Sequence, residues 1–197
     1  KTTKFVVPMP PALAQALASL PSDYKGTISL DDARRWCHAA HADIGQTYGP
    51  RPYGFHLDAV EHAAVDWGFG DDVILRMLCQ AHDVFEDTPK TYAEMLAAGF
   101  PSEVVVLAWR LMDEPGKDRC EKKSATLPKI AEERRSVIGK MADRKANGLS
   151  SRREKPVKFA RYCEEYPQFR SELFDATDTD LAHAWAELDV LFGYSPE

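Results

Sequence analysis

The amino-acid sequence predicts an all-α protein with a single helical domain. Three observations lead there. Apolar residues recur at three- and four-residue spacing in segment after segment, and no stretch shows the strict alternation of a half-buried strand. The length of 197 residues suits one domain with a sizeable core. No internal repeat or low-complexity stretch competes with this reading.

The elements follow in order. Residues 1–27 read as an N-terminal extension: three prolines precede residue 12, residues 12–20 suit a short helix, and residues 22–26 a turn. A helix starts at Ser29, with Asp31 and Asp32 in its first turn, and continues to about residue 46. Residues 48–54 hold two prolines and two glycines and read as a loop. Helices are expected over 55–67, 71–85 and 91–98. Pro101 opens another over 102–112, with Val104, Val105, Val106, Leu107 and Leu111 on its apolar side. A polar segment, 113–126, precedes a helix over 127–147 whose stripe is Ile130, Val137, Ile138 and Met141. Two more helices, 155–174 and 178–192, complete the chain. Residues 28–150 thus form the expected core, and 151–197 supply helices that pack on it. Trp36, Trp67, Trp109 and Trp185 lie in striped helices and are assigned to the interior.

Composition narrows the function. The formal net charge of −6 does not provide the broad basic footprint of a nucleic-acid binder, so no nucleic-acid partner is expected. Cys37, Cys79, Cys120 and Cys163 are scattered without a C-x-x-C pair, which fits neither a zinc knuckle nor a disulfide framework. No stretch reaches the length of a membrane span, so the chain reads as soluble and cytoplasmic, with no membrane partner. Association into a homo-oligomer is left open. Positive charge is concentrated locally: Lys117, Arg119, Lys122 and Lys123; then Arg134, Arg135, Lys140, Arg144 and Lys145; then Arg152, Arg153, Lys155 and Lys158. Most such residues form solvated helix faces, but a phosphate-rich ligand needs several that converge.

The chemistry concentrates in Ala81-His82-Asp83-Val84-Phe85-Glu86-Asp87-Thr88. On a helix, His82 aligns with Glu86 and Asp83 with Asp87, and the upstream Ile74, Leu75, Met77 and Leu78 mark that helix as buried. Four ionisable groups at the end of a buried helix are costly unless they serve a site. A metal needs further ligands. His56 stands at a helix start after Pro52-Tyr53-Gly54-Phe55, and Asp143 lies beside the apolar stripe of its own helix. Two imidazoles with two carboxylates suit Mn²⁺, Fe²⁺, Co²⁺ or Zn²⁺ and leave positions for water and phosphate oxygens.

These motifs resemble the HD superfamily of metal-dependent phosphohydrolases. Pro52-Tyr53-x-x-His56, His82-Asp83-Val84-x-Glu86-Asp87-Thr88 and Ala142-Asp143-Arg144-x-x-Asn147 are similar to the (p)ppGpp hydrolase domain of stringent-response enzymes and to small stand-alone alarmone hydrolases. The likeness covers about residues 35–150. It implies that His56, His82, Asp83 and Asp143 hold one divalent metal, with Mn²⁺ placed first. It implies that Glu86 and Asp87 are the catalytic acids, that Asn147 contacts a ribose, and that Ser150 is the family's hydroxyl residue. Asp143, Asn147 and Ser150 share one helix face by spacing. Tyr48, Lys117, Arg119, Lys122, Lys123 and Arg144 complete the expected substrate contacts, and Lys158, Arg161 and Tyr162 are placed where they could close over the pocket. The sequence departs from the family at Thr47 and Tyr48, which stand where alarmone hydrolases carry an Arg-Lys pair.

The expected partner is therefore a small nucleotide, and the expected activity a (p)ppGpp-like pyrophosphohydrolase. The alternatives are a (deoxy)nucleotide phosphohydrolase or triphosphohydrolase, and a nucleotide-sensing or partner-binding module without turnover. The intact Glu86-Asp87 pair counts against the last, because pure binding does not require both acids. His38 and His41 are read as helix-surface residues, and His62 and His183 as structural.

Overall fold

The computed structural model describes residues 7–195. Helix α1 (Pro11–Ala18) is followed by α2 (Leu30–Ala42), whose first turn is capped by the Ser29 side chain accepting from the Asp32 N–H. A two-residue-per-strand hairpin, β1 (Thr47–Tyr48) and β2 (Arg51–Pro52), occupies the expected loop and leads into α3 (Gly54–Ala64). After that helix comes a wide turn, Val65–Phe69, in which Gly68 takes a positive φ of 96° that breaks the helical path. Then come α4 (Val73–Ala81), α5 (Val84–Asp87), α6 (Tyr92–Ala97), α7 (Ser102–Leu111), α8 (Arg119–Ala131), α9 (Arg134–Glu154), α10 (Pro156–Leu173) and, after a 3₁₀ turn, α11 (Ala182–Phe192).

Two helices organise the rest. Helix α4 is apolar apart from the face of Arg76 and Gln80, and it packs against α2, α3, α7 and α9. Helix α9 touches α3, α4, α7, α8, α10 and α11. Two glycines allow this: a Cβ on Gly139 would stand 3.2 Å from the Leu78 side chain, and one on Gly148 would stand 2.6 Å from the Phe192 ring. The core they gather includes Leu57, Val60, Leu75, Leu78, Val105, Ile138, Met141, Tyr166 and Trp185. All four cysteines are free thiols.

Local order departs from the expected pattern at two places that matter for the site. The helix expected over 71–85 breaks at His82 and Asp83. There the His82 Nδ1–H donates to the Cys79 carbonyl at 2.8 Å, satisfying an acceptor left free at the end of α4, and Asp83 takes φ −102°, ψ −1°. The helix expected over 127–147 is also two helices. Asp118 caps α8 early, within the segment expected to be irregular, by accepting from the Glu121 N–H. Glu133, in extended conformation, stops the chain and caps α9 through the Ser136 N–H. Apolar periodicity continues across that break, which is why the sequence reads as one helix. Trp67, Trp109 and Trp185 are buried, whereas Trp36 is only half-buried, edge-on to Phe100 at 5.2 Å.

Candidate metal centre

Three elements converge. The first turn of α3 supplies His56, the α4–α5 junction supplies His82 and Asp83, and the middle of α9 supplies Asp143. The two imidazoles face each other through Nε2 at 3.3 Å. Asp143 Oδ1 lies 3.4 Å from His56 Nε2 and 3.7 Å from His82 Nε2. Asp83 Oδ2 lies 3.0 Å from His82 Nε2 and 3.6 Å from His56 Nε2. His56, His82 and Asp143 place one donor atom each within 4.8 Å of one another, a set able to hold a divalent cation. Asp83 lies beside them, and its Oδ2 also accepts from the Tyr53 hydroxyl.

The surroundings fit such an ion. His82 is fixed by its Nδ1–H bond to the Cys79 carbonyl, the arrangement that aims the other nitrogen of a metal-binding histidine. The Asn147 amide donates to Asp143 Oδ1, and the Lys140 ammonium stands 3.5 Å from its Oδ2. Burial opposes charge on both imidazoles, yet the adjacent Asp143 and Asp83 outweigh it: the pKa of His56 is raised, and that of His82 is raised well above the usual histidine value. Burial likewise opposes charge on the two aspartates, but the histidines, with Lys140 for Asp143, hold both carboxyls well below the usual range. Surroundings that keep positive charge on buried imidazoles favour a cation at the centre of the cluster.

The acid pair stands one turn on. Glu86 Oε2 accepts from the Asp113 backbone N–H at 3.1 Å. Partial desolvation and the Asp113 charge raise the Glu86 pKa, although Lys140 pulls it down. Asp87 Oδ2 accepts from the Gln46 amide at 2.7 Å. Tyr48 stacks on His56 with ring centroids 4.7 Å apart, and its hydroxyl donates to Asn147. Its ring also borders a recess of about 280 Å³ lined by Arg51, Phe55, Ala59, Lys145 and Leu149, with Ser150 at the edge.

The expected cationic residues divide. Lys123 pairs with Asp113 at 2.6 Å and lies close enough to Lys140 and Arg119 to feel their charges. Arg119 is held by Glu165, which also takes the buried Arg144 at 3.2 Å; Arg144 turns from the cluster to stack on Tyr162 and Phe169. Lys117 and Lys122 are exposed and make no ion pair with the cluster. Lys158 and Tyr162, from α10, do feel the Asp143 charge, while Arg161 lines an outer cavity with Glu164.

Several residues at the centre were not singled out by sequence. Lys140 is buried three residues before Asp143, a spacing that could have flagged it. Tyr53 lies within the Pro52-Tyr53-x-x-His56 motif. Gln46 and Asp113 carry no local signal. The assignment of His41 to the surface is corrected: it is fully buried, because α2 turns it toward the Tyr53 ring. His38 is half-buried with its Nε2 at 3.2 Å from Gln80, and His62 and His183 are exposed.

No protein-family profile matches this chain, and no curated protein sequence matches it. Among solved structures, the fold is similar to that of a metazoan orthologue of SpoT, described as hydrolysing ppGpp and playing a role in starvation responses. The match has a TM-score of 0.70 at 18% identity and covers 90% of this chain and 99% of that one. The chain thus shares the all-α fold of that protein.

Proposed function

We propose that the protein is a metal-dependent phosphohydrolase acting on a small nucleotide, with a (p)ppGpp-like alarmone as its first substrate. The observation that carries this reading is the convergence of His56, His82 and Asp143 donors beside the Glu86-Asp87 pair. The similarity in fold to a ppGpp hydrolase supports the choice of substrate. In this reading His56, His82, Asp83 and Asp143 hold one ion, with Mn²⁺ preferred for a mixed nitrogen and oxygen set that leaves positions open. Bound there, such an ion supplies Lewis acidity toward a phosphoryl oxygen and toward water.

The chain's own groups do the rest. Glu86, its pKa raised by burial and the Asp113 charge, exchanges a proton with the attacking water or the leaving oxygen. Asp87 orients that water. Lys140, Lys123 and Lys158 neutralise phosphate charge as it develops, in surroundings where water competes poorly. Asn147 and Ser150 meet the ribose side, and Tyr48 offers a ring face to the base. We take residues 28–150 as the catalytic core and place the protein in the cytoplasm; among the described residues no helix is long and apolar enough to cross a membrane.

Release of phosphate or pyrophosphate should be measured over ppGpp, NTPs and dNTPs, with metal-stripped protein and after Mn²⁺ is restored. The reading expects release from ppGpp that depends on added metal. Inertness of the metal-loaded protein toward every nucleotide would overturn it.

A further inference from the structure

His41 is fully buried on α2, and it makes one polar contact with its ring: Nδ1 meets Gln46 Oε1 at 2.6 Å. The ring Nε2 is buried with no partner. Gln46 passes the contact on, since its Nε2 donates to Asp87 Oδ2 at 2.7 Å. The backbone repeats the tie, with the Gln46 N–H bonded to the His41 carbonyl at 3.1 Å. The other face of the arrangement is aromatic: His41 stacks on Tyr53 at 4.5 Å, and Tyr53 donates to Asp83. One buried ring thus stands behind both the proposed ligand Asp83 and the proposed acid Asp87.

A buried nitrogen without a partner is unfavourable, so an apolar side chain would suit this place better if packing were the only requirement. The cost has a use. A glutamine amide can present either end, and with its oxygen toward Asp87 it would repel a carboxylate. A neutral imidazole with its proton on Nδ1 accepts only one answer: Oε1 toward His41 and the amide N–H toward Asp87. Burial lowers the His41 pKa and keeps the ring neutral, which agrees with a single fixed donor.

We propose that His41 and Gln46 are positioning residues that lock the Asp87 carboxylate in its orientation at the metal centre, His41 acting through the Gln46 amide. The inference rests on the role given to Asp87 under the proposed function. Removing such an outer support costs roughly 10–100-fold in activity.

The test uses the Mn²⁺-loaded full chain and ppGpp. Gln46→Leu and His41→Phe should each lower kcat by roughly 10–100-fold with KM, bound metal and thermal midpoint near wild type. His41→Asn, whose amide nitrogen takes the place of Nδ1, should recover most of the lost kcat. An unchanged kcat in Gln46→Leu would overturn the inference. So would a loss of kcat matched by loss of metal or of fold in both variants, or a His41→Asn as slow as His41→Phe. Gln46 is half-buried, so its variant carries the kinetic test if His41→Phe folds poorly. A second measurement is independent of turnover: ¹⁵N NMR of wild type should show His41 as the neutral Nδ1–H tautomer. The Nε2–H tautomer or a charged ring would overturn the inference. If no nucleotide is hydrolysed, the proposed function fails while this measurement still decides whether His41 holds Gln46.

Discussion

His56 and Glu61 stand five residues apart on α3 and are each 1% exposed, yet their surroundings differ in kind. Around Glu61 every charge has its opposite. Arg34 donates to both carboxylate oxygens at 3.0 and 2.9 Å, Arg76 Nε donates at 2.9 Å, and the Gln80 amide donates at 2.6 Å. Burial alone would raise the Glu61 pKa, but these donors outweigh it and lower the value. Around His56 its Nε2, the His82 Nε2 and an oxygen of Asp143 converge on one point. A balanced buried charge ties α2, α3 and α4 together; a set of donors aimed at a shared centre has room for a ligand. Burial is the same in both. Whether the charged groups pair off with their opposites or aim their donor atoms at one shared point distinguishes the two clusters.

The largest effect expected from this contrast lies at the convergent cluster. His82→Ala or Asp143→Ala should lose bound metal and activity together, to the background of the assay, because each removes a donor from the set. Elemental analysis beside phosphate release checks it, and full metal occupancy in both variants would collapse the distinction drawn here. Next in size, Glu86→Gln should keep metal and fold yet slow turnover by roughly 10²–10⁴, the range for a lost acid or base. Near-native turnover would remove Glu86 from the mechanism.

The balanced cluster should respond in stability instead. Glu61→Gln should destabilise the fold by about 3 kcal/mol, the low end for removing one partner of a buried pair, because Arg34 and Arg76 can turn toward water. At temperatures where the variant is folded, its metal content should match wild type. The pH dependence has a defined sign. The folded pKa of Glu61 is depressed, so its stabilisation is complete above the unfolded value near 4.5 and is lost as pH falls through the lower folded value. Thermal midpoints of wild type and Glu61→Gln should therefore differ at neutral pH and converge in acid. A gap independent of pH would show that shape, not charge, sets the cost.

The smallest effect concerns Tyr48, which joins the convergent cluster by stacking on His56. An aromatic ring accepts any base, so guanine and adenine forms of one phosphorylated substrate should differ by less than about 1–3 kcal/mol in kcat/KM terms. Tyr48→Ala should weaken both forms alike, by about 1–3 kcal/mol. A guanine preference of many thousandfold that survives the substitution would mean that another part of the pocket reads the base.

Much of this was legible in the sequence. The apolar spacing pointed to the helical class, and His56, His82, Asp83 and Asp143, which folding brings together, stood in three short motifs whose order could be read without coordinates. Local chemistry also set the caps, such as Ser29 at the start of α2. Less legible were the interruptions. Glu133 resembles any acidic helix residue until its side chain is seen accepting from the Ser136 N–H, and the break at His82 depends on a ring bond to the Cys79 carbonyl.

The sequence by itself determined the helical class, the residue types available for a metal and the positive charge around them, because these depend on propensity and on faces within one helix. Tertiary structure decided which distant partner a buried polar side chain finds. Arg144 neighbours Asp143 in sequence but is drawn to Glu165 on α10, while Lys140, a turn away, is buried against Asp143. His41 looks like a surface residue of an amphipathic helix, yet it and Glu61 are both enclosed. The reason is physical: a charge or hydrogen bond is satisfied by whatever group folding brings within about 3 Å, and for Arg144 and Glu61 that group comes from another part of the chain.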